Sequence, residues 1–258
     1  MTLLLKLVLA PLLVVASSLA GRRWGPGLTG LLVAMPVVAG PILLITYLEH
    51  GPAFVARAAS ASLLGLVSLA AFAVVFARVS RARGWPGTLL VGWLVCLALD
   101  LALSFAPVPG WVALGLALAA AWAGIRLLPE PEAARPVALP WWDLPARAVA
   151  TAVLVVVLTA AAGRLGPDLT GVLAPFPTGT SVVAVFALAQ GGPAAAAATT
   201  RGVLRGLGGF SAFCFLVAVF AEPIGGWAFA VAVAGTVGWQ LLSGAASRRT
   251  PREKPRSG

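Results

Sequence analysis

Charged residues are scarce in this chain of 258 residues: Asp, Glu, Lys and Arg make up 10% of it, against 60% of hydrophobic residues. Soluble domains carry about 25% charged residues. A water-exposed surface cannot be built from so few charges, and a chain of this size leaves roughly a quarter of its unfolded surface exposed after folding. The composition therefore excludes a soluble globular protein and predicts an integral membrane protein.

Histidine and cysteine are scarcer still: the chain has one histidine, His50, and two cysteines, Cys96 and Cys214. Each stands alone in an apolar run, so the sequence offers no zinc or iron site and no disulfide pattern. It also contains no Ser/His/Asp arrangement, no paired catalytic carboxylates and no phosphate-binding glycine loop. We therefore expect no cofactor and no enzymatic activity.

Runs of mainly apolar residues, about 20 of which cross a bilayer as a helix, divide the chain into nine predicted spans. Gly-Pro pairs and charges mark the ends of these runs, and several tryptophans stand there, where an indole ring suits the interface. We expect an all-α polytopic membrane protein. The spans are residues 3–20, 28–48, 52–77, 88–105, 111–128, 144–162, 169–189, 194–220 and 224–243.

The formal net charge of +10 predicts an orientation. Excess Lys and Arg can indicate a nucleic-acid partner, but in a membrane protein they collect on the cytoplasmic side. With the N-terminus outside, all basic residues except Lys6, Arg57 and Arg164 fall on that side. This predicts a multi-pass membrane protein with its basic C-terminal tail in the cytoplasm near anionic headgroups and no nucleic-acid partner.

The chain contains an internal repeat with an offset of 141 residues. Residues 25–30 (GPGLTG) align with 166–171 (GPDLTG), and 17 of the 54 positions from 23 to 76 are identical to their counterparts. Apolar bias alone would not align this Gly/Pro punctuation. The predicted organisation is a four-helix repeat (1–105), a linking fifth helix with a cytoplasmic loop (106–143), a second four-helix repeat (144–243) and a basic tail (244–258).

Five crossings separate the starts of the two copies, so the copies would have inverted topology. The repeat also bears on the first span, which resembles a cleaved signal peptide because Lys6 precedes an apolar stretch that ends in small residues. Since the sixth span is its counterpart and cannot be a signal, we expect the first span to be retained.

Prolines interrupt the second and seventh spans at corresponding positions, Pro36 and Pro177. A proline inside a span frees a backbone carbonyl, which must find a partner or face a cavity. In transporters with inverted repeats, such broken helices mark a substrate site near the bilayer midplane. The pair is therefore our main site candidate, with a packing kink between close helices as the alternative.

Polar side chains within the spans are the other site candidates. Thr178, Thr180 and Ser181 follow the seventh-span break and either bond the local backbone or line a polar path. Asp100, toward the outer third of the fourth span, is the one acid well inside a span. It is a candidate proton or cation carrier, or an acid solvated near the surface. Gln240 lies one position before the residue that the offset of 141 pairs with Asp100.

Arg201 and Arg205 are four residues apart and share one face of the eighth span. They would bind an anionic solute, or else bind lipid phosphates or anchor the helix. Glu49, at a predicted outer turn, aligns with Gln190, so neither half requires a charge there. The glycines at 206, 208 and 209 are expected to permit close helix approach.

The repeat core is GPGLTGLL followed by Pro36 in the first half and GPDLTGVLAPFP, ending at Pro177, in the second. It resembles a group of bacterial inner-membrane proteins in which the pattern G-P-x-[LI]-[ST]-G-L-x-A-x-[FL]-P marks each half, with small GlpM-like proteins as single-copy relatives. The 4+1+4 plan is similar in architecture to drug/metabolite transporters. The membrane-embedded glutamate of small multidrug exporters has no counterpart in the first or sixth span, so the resemblance does not imply proton-coupled drug export by that mechanism.

These features favour a secondary transporter or permease-like protein that works by rocking of the two repeats, with the second and seventh spans at its centre. The alternative is a non-transporting membrane scaffold or lipid-interacting protein, because a fold-level analogy does not decide function. The expected partners are the lipid bilayer, anionic headgroups at the cytoplasmic face and a small solute.

Overall fold

The computed structural model describes residues 2–36, 39–105, 108–128, 140–165 and 176–249. Within these ranges all regular structure is helical, which confirms the all-α class. The nine helices that they contain are, in chain order, α1 Thr2–Trp24, α2 Pro26–Val33, α3 Ala39–His50, α4 Pro52–Val79, α5 Trp85–Ser104, α6 Gly110–Leu127, α7 Asp143–Leu165, α8 Thr178–Ile224 and α9 Trp227–Arg249.

Five helices among the described residues are long and apolar enough to cross a membrane, namely α1, α4, α5, α6 and α8. Large apolar side chains such as Leu94, Trp122 and Val153 are exposed on the outside of the helices. Exposure of this kind suits lipid, because hydrocarbon solvates such groups and water does not. The chain is thus an all-helical protein with several helices able to span a membrane.

Gly-Pro pairs start helices as the sequence predicts. Gly25 and Gly51 precede α2 and α4 with φ of 94° and 82°. Gly192 interrupts α8 with φ of 71°, directly before Pro193. Glycine adopts this left-handed region without a Cβ penalty, and proline suits a first helical turn because that position needs no N–H donor. We call residues 178–191 the first arm of α8 and residues 193–224 its second arm.

The second predicted span is broken around Pro36, as expected, because α2 ends at Val33 and α3 begins at Ala39. The freed carbonyl groups find local partners: the Leu32 carbonyl accepts from the Met35 N–H (3.1 Å), and the Pro36 carbonyl accepts from the Gly40 N–H (2.7 Å). Residues 166–175, which include most of the corresponding break in the seventh span, lie outside the described residues.

The core lies between α4 and the second arm of α8. Their fully buried side chains include Phe72 and Phe76 from α4 and Leu207 and Phe213 from α8. Helices α2, α5, α6 and α9 surround this pair, while α1 and α7 pack against each other beside α2. The first arm of α8 contacts α7 and α1, so α8 connects the core to the α1–α7 pair.

Glycines allow α2 to lie directly on the backbone of the second arm of α8. A Cβ at Gly30 would overlap the carbonyl oxygen of Thr199, and a Cβ at Gly202 would overlap the carbonyl oxygen of Gly27. Close approach of this kind, with no side chain between the helices, is how small residues stabilise helix pairs in lipid. The repeated GPGLTG motif thus supplies one side of a helix–helix contact.

The glycine-rich segment of α8 also permits close packing, as predicted. Gly206 lies against Ala34 of α2, with 2.8 Å between the Ala34 Cβ and an ideal Cβ at 206. Gly208 and Gly209 lie against Trp239 and Gln240 of α9. These glycines therefore bring α2 and α9 onto the same central helix.

Candidate functional site

Residues close in sequence to Pro36 and to Pro177 lie against each other. An ideal Cβ at Gly179, two residues after Pro177, would be 3.4 Å from Val33 Cγ2, at the end of α2. Val14 of α1 is 3.5 Å from the same point. The end of the first broken helix therefore meets the start of α8, and α1 covers the junction.

The hydroxyl groups beyond Pro177 have different partners. Thr178 Oγ1 donates to the Phe176 carbonyl at 3.4 Å, which is local backbone bonding, and Thr180 is buried. Ser181 Oγ instead accepts a hydrogen bond of 2.9 Å from Trp93 Nε1 on α5. The Trp93 ring also contacts the Phe176 ring edge-on at 5.2 Å between centroids. Helix α5 is therefore tied to the start of α8.

Sequence reasoning missed Trp93. The available signal was its position in the interior of a predicted span, away from the span ends where several other tryptophans stand. A buried indole usually needs an acceptor for its N–H, and only a few hydroxyls and carbonyls inside a membrane can serve.

Asp100 is buried, with 6% of its surface exposed. The thiol of Cys96 donates to its Oδ2 at 3.6 Å. Ser68 on α4 is close enough to interact with the carboxyl, although its hydroxyl makes no hydrogen bond of good geometry. Asp100 and Trp93 are seven residues apart on one face of α5, so Asp100 lies about 10 Å along the helix from the Trp93–Ser181 contact.

Gln240 occupies a comparable place in the second half of the chain. An ideal Cβ at Gly209 would be 2.9 Å from its Nε2, so the side chain lies directly on α8. Positions 68 and 209 differ by the repeat offset of 141. The two polar candidates of α5 and α9 therefore face corresponding positions of α4 and α8.

Arg201 lies against the C-terminal end of α6. Arg201 Nη1 donates to the Ile125 carbonyl (3.4 Å), and Arg78 donates to the Leu127 carbonyl from Nε (3.0 Å) and Nη2 (2.8 Å). The last carbonyls of a helix lack intrahelical partners and carry partial negative charge. Both guanidinium groups thus anchor the end of α6. Arg205 is exposed rather than buried, so its charge is accessible on the helix surface.

A buried polar cluster joins α1, α7 and α8, and sequence reasoning missed it. We call it the Asp143 cluster; its members are Arg22, Asp143, Arg147 and Gln190. The Asp143 side chain is fully buried and accepts three hydrogen bonds, from Arg22 Nη2 (3.1 Å), Arg147 Nε (2.9 Å) and Gln190 Nε2 (2.7 Å).

The arginines of the Asp143 cluster differ in their surroundings. Arg147 is buried, donates to Gln190 Oε1 (3.3 Å) and has its guanidinium 4.8 Å from the centroid of the Phe186 ring. The Arg22 side chain is 31% exposed. Removing one partner from a buried ion pair is costly, because the other charge stays buried without compensation. The cluster therefore holds three helix ends together at one end of the molecule.

A sequence signal for this cluster was available. Asp143 and Arg147 have the i, i+4 spacing that brings side chains together on a helix, and Asp143 lies at the first turn, where a negative charge is favourable. Counting Arg22 and Arg147 only as cytoplasmic charges concealed the pair. Contact with Arg22 and Gln190, which lie far away in sequence, depends on the fold.

No protein-family model, curated protein or solved structure matches the chain significantly. Chemically, the described residues supply a junction between the end of α2 and the start of α8 with hydroxyl groups beside it, a buried carboxyl on α5 and a buried ionic cluster at one end.

Proposed function

We propose that this protein is a secondary transporter of the bacterial inner membrane, with nine spans built as two inverted four-helix repeats and the N-terminus outside. The observation that carries the proposal is the contact between Val33 and Gly179, where the end of α2 meets the start of α8. In inverted-repeat transporters, discontinuous helices at the repeat interface form the substrate site. The proposed pathway runs past Pro36, Pro177, Thr178, Thr180 and Ser181.

Helix boundaries support the duplication. Helix α1 spans Thr2–Trp24 and α7 spans Asp143–Leu165, so both ends differ by 141 residues. Gly51 and Gly192, also 141 apart, both have positive φ before a proline. Equivalent segments of a duplicated sequence are expected to fold into equivalent helices, including their breaks.

Contacts between helix ends support the proposal that successive spans cross the membrane in alternating directions. At one end, which we call the inner end, Arg22 at the end of α1 meets Asp143 at the start of α7, and Gln190 lies beside the Gly192 break. At the opposite end, Tyr47 of α3 contacts Phe229 of α9, with 5.9 Å between the ring centroids. The inner end carries the basic residues that favour the cytoplasmic side.

The Asp143 cluster has the properties of an inner gate. The links between helices are the bonds from Arg22 and Gln190 to Asp143 and the bond from Arg147 to Gln190. Movement of α8 away from the α1–α7 pair opens the inner end and breaks the two bonds that Gln190 makes, whereas the Arg22–Asp143 bond stays within the pair. The Arg147–Asp143 pair lies within α7 and survives, so the carboxylate keeps a counter-ion when the helices separate.

The direct α2–α8 contact favours the second candidate function, a non-transporting scaffold. Backbone packing at Gly30 and Gly202 fixes α2 to the second arm of α8. In a transporter these two helices move as one body against the α1–α7 pair. In a scaffold neither moves, and the Val33–Gly179 junction stays closed to water from both sides.

Accessibility of position 178 tests the proposal. Thr178 is partly exposed, and the native Cys96 and Cys214 are buried internal controls. We expect Thr178→Cys to react with a membrane-impermeant maleimide in both right-side-out and inside-out vesicles. Ser104→Cys, exposed at the far end of α5, should react only in right-side-out vesicles. A Thr178→Cys variant that reacts in neither preparation contradicts transport and supports the scaffold.

A further inference from the structure

Contacts of α4 with α6 define the depth of Ser68. Gly110, at the start of α6, lies against Ser60, with 3.4 Å between the Ser60 Oγ and an ideal Cβ at 110. At the other end of α6, the Leu127 carbonyl accepts from Arg78. The segment of α4 between these contacts is about 27 Å long, close to the bilayer core of about 30 Å. Ser68 lies about 12 Å from the Ser60 end, near the middle.

Asp100 reaches this depth although it belongs to the last third of α5. Helical side chains point back toward the N-terminus of their helix, which brings the Asp100 carboxyl to Cys96 and Ser68. Ser68 has no exposed surface, and its Oγ has no hydrogen-bond partner. A buried carboxyl therefore faces a buried hydroxyl with unused bonding capacity, near the middle of the apolar layer.

At the corresponding place in the second half of the chain, the polar side chain has no titratable group. Gln240 lies there against Gly209, which has no side chain, and Thr236 Oγ1 lies 3.3 Å from the Gly209 carbonyl. An amide does not ionise, so a change of charge at this place is confined to the first half. If the fold required only a polar side chain at this place, an amide would suffice in both halves of the chain.

We propose that Asp100 is a reversible proton-binding site that couples proton movement to transport, an inference that rests on the proposed transport function. The proton binds a carboxyl oxygen of Asp100, and the Ser68 hydroxyl donates to the carboxylate when the proton leaves. A hard metal cation takes about six or more oxygen ligands. The two carboxyl oxygens and one hydroxyl described at this place are too few for one.

The described groups that face Asp100 carry no positive charge. From α5 the facing titratable group is Cys96, and from α4 the facing polar group is Ser68. Among the described residues, no charged side chain of α4 or α8 interacts with the carboxyl. Trp93, on the same face of α5, bonds Ser181 beside the Pro177 break. A shift of α5 on protonation is thereby transmitted to the proposed pathway.

Carbodiimide labelling tests proton binding. Dicyclohexylcarbodiimide is apolar and adds as a whole molecule to a protonated carboxyl group. In the full-length protein in membranes, peptide mass mapping should find the adduct at Asp100, with a labelled fraction that falls as the pH rises. Asp143 is the internal control, since it is buried but paired with two arginines, and it should remain unlabelled. Asp100→Asn should lose the adduct.

Ser68→Ala tests the role of the hydroxyl. A hydrogen bond to the charged form favours that form, so removal of the hydroxyl should raise the labelled fraction several-fold at alkaline pH. Ser68→Thr keeps the hydroxyl and should behave like the wild type, which controls for a packing effect. The proposal is overturned if Asp100 stays unlabelled at every pH, or if its labelling does not depend on pH.

Combination with the Thr178→Cys measurement separates this inference from the proposed function. If position 178 is accessible from both sides and Asp100 takes no adduct, the proton site fails and transport stands. If Asp100 labels with pH dependence and position 178 is closed, the transport proposal fails, and coupling with it. Coupling predicts that the ratio of maleimide labelling from the inner side to labelling from the outer side changes with pH in Thr178→Cys. It should not change with pH when Asp100→Asn is added.

Discussion

The α2–α8 contact and the Asp143 cluster hold helices together by opposite means. At Gly30 and Gly202 two backbones touch with no side chain between them. In the Asp143 cluster, charged and amide side chains from three helices meet on one buried carboxylate. A backbone contact loses its dispersion energy as soon as it opens, whereas polar groups can exchange their partners for water. In the proposed transporter, this difference makes α2 and the second arm of α8 a rigid unit and the cluster the place where helices separate.

Gly202→Leu tests the rigid contact and should have the largest effect. Its Cβ would overlap the Gly27 carbonyl oxygen, so α2 must leave α8. Overpacking in a well-packed core costs about 1–3 kcal/mol or more, and a backbone obstacle belongs to the upper end of that range. We expect loss of monodisperse protein in size-exclusion chromatography. Gly115→Ala is the matched control, because a Cβ at 115 meets nothing within 4 Å. A stable Gly202→Leu variant would show that the two helices do not depend on this approach.

Asp143→Asn tests the cluster and should have the next largest effect. The change keeps the shape but leaves Arg147 buried without its counter-charge, at a cost of about 3–5 kcal/mol. We expect a clear fall in the thermal unfolding midpoint in detergent. The double variant Asp143→Asn/Arg147→Gln should recover part of the loss, because no uncompensated buried charge remains on α7. A double variant less stable than the single one would contradict the role of Arg147 as the paired charge.

Trp93→Phe should have a moderate effect. It keeps an aromatic ring against Phe176 and removes the hydrogen bond to Ser181. An intramolecular hydrogen bond contributes about 1 kcal/mol, so the unfolding midpoint should fall moderately. Trp111→Phe, at an exposed position, is the control and should leave the midpoint unchanged. Equal effects of the two substitutions would show that the Trp93 bond does not stabilise the start of α8.

The substitution Arg205→Ala should have the smallest effect. The side chain is exposed, so its removal should leave the unfolding midpoint within experimental error. Arg78→Ala removes two hydrogen bonds to the last carbonyl of α6 and should lower the midpoint measurably. The pair distinguishes a charge that anchors a helix end from one that does not. A larger loss for Arg205→Ala than for Arg78→Ala would reverse this assignment.

Local features of the sequence predicted the helices well. The predicted span 111–128 corresponds to α6 Gly110–Leu127, and 52–77 corresponds to α4 Pro52–Val79. Apolar runs and Gly-Pro pairs act within a few residues, so they can be recognised without the fold. The ninth span was predicted from residue 224, but α8 continues to Ile224 despite Pro223, and α9 begins at Trp227.

Contacts between distant residues could not be predicted in this way. The Asp143–Arg22 pair joins residues 121 apart, and the Trp93–Ser181 bond joins residues 88 apart. Position along a helix also does not determine which side chain faces lipid: Arg205, well inside the predicted eighth span, is exposed, whereas Arg147, near the start of the sixth, is buried. Such facts depend on the rotation of each helix about its own axis, which packing fixes.

The most direct test of the account compares the reaction rate of Thr178→Cys with an impermeant maleimide added to the cytoplasmic side, with and without Asp143→Asn. If the Asp143 cluster closes the inner end of a transporter, the substitution should raise that rate at least several-fold and lower the rate from the outside. An unchanged rate on both sides, in a variant shown to be folded, would contradict a gate at the cluster and rocking of α8 against the α1–α7 pair.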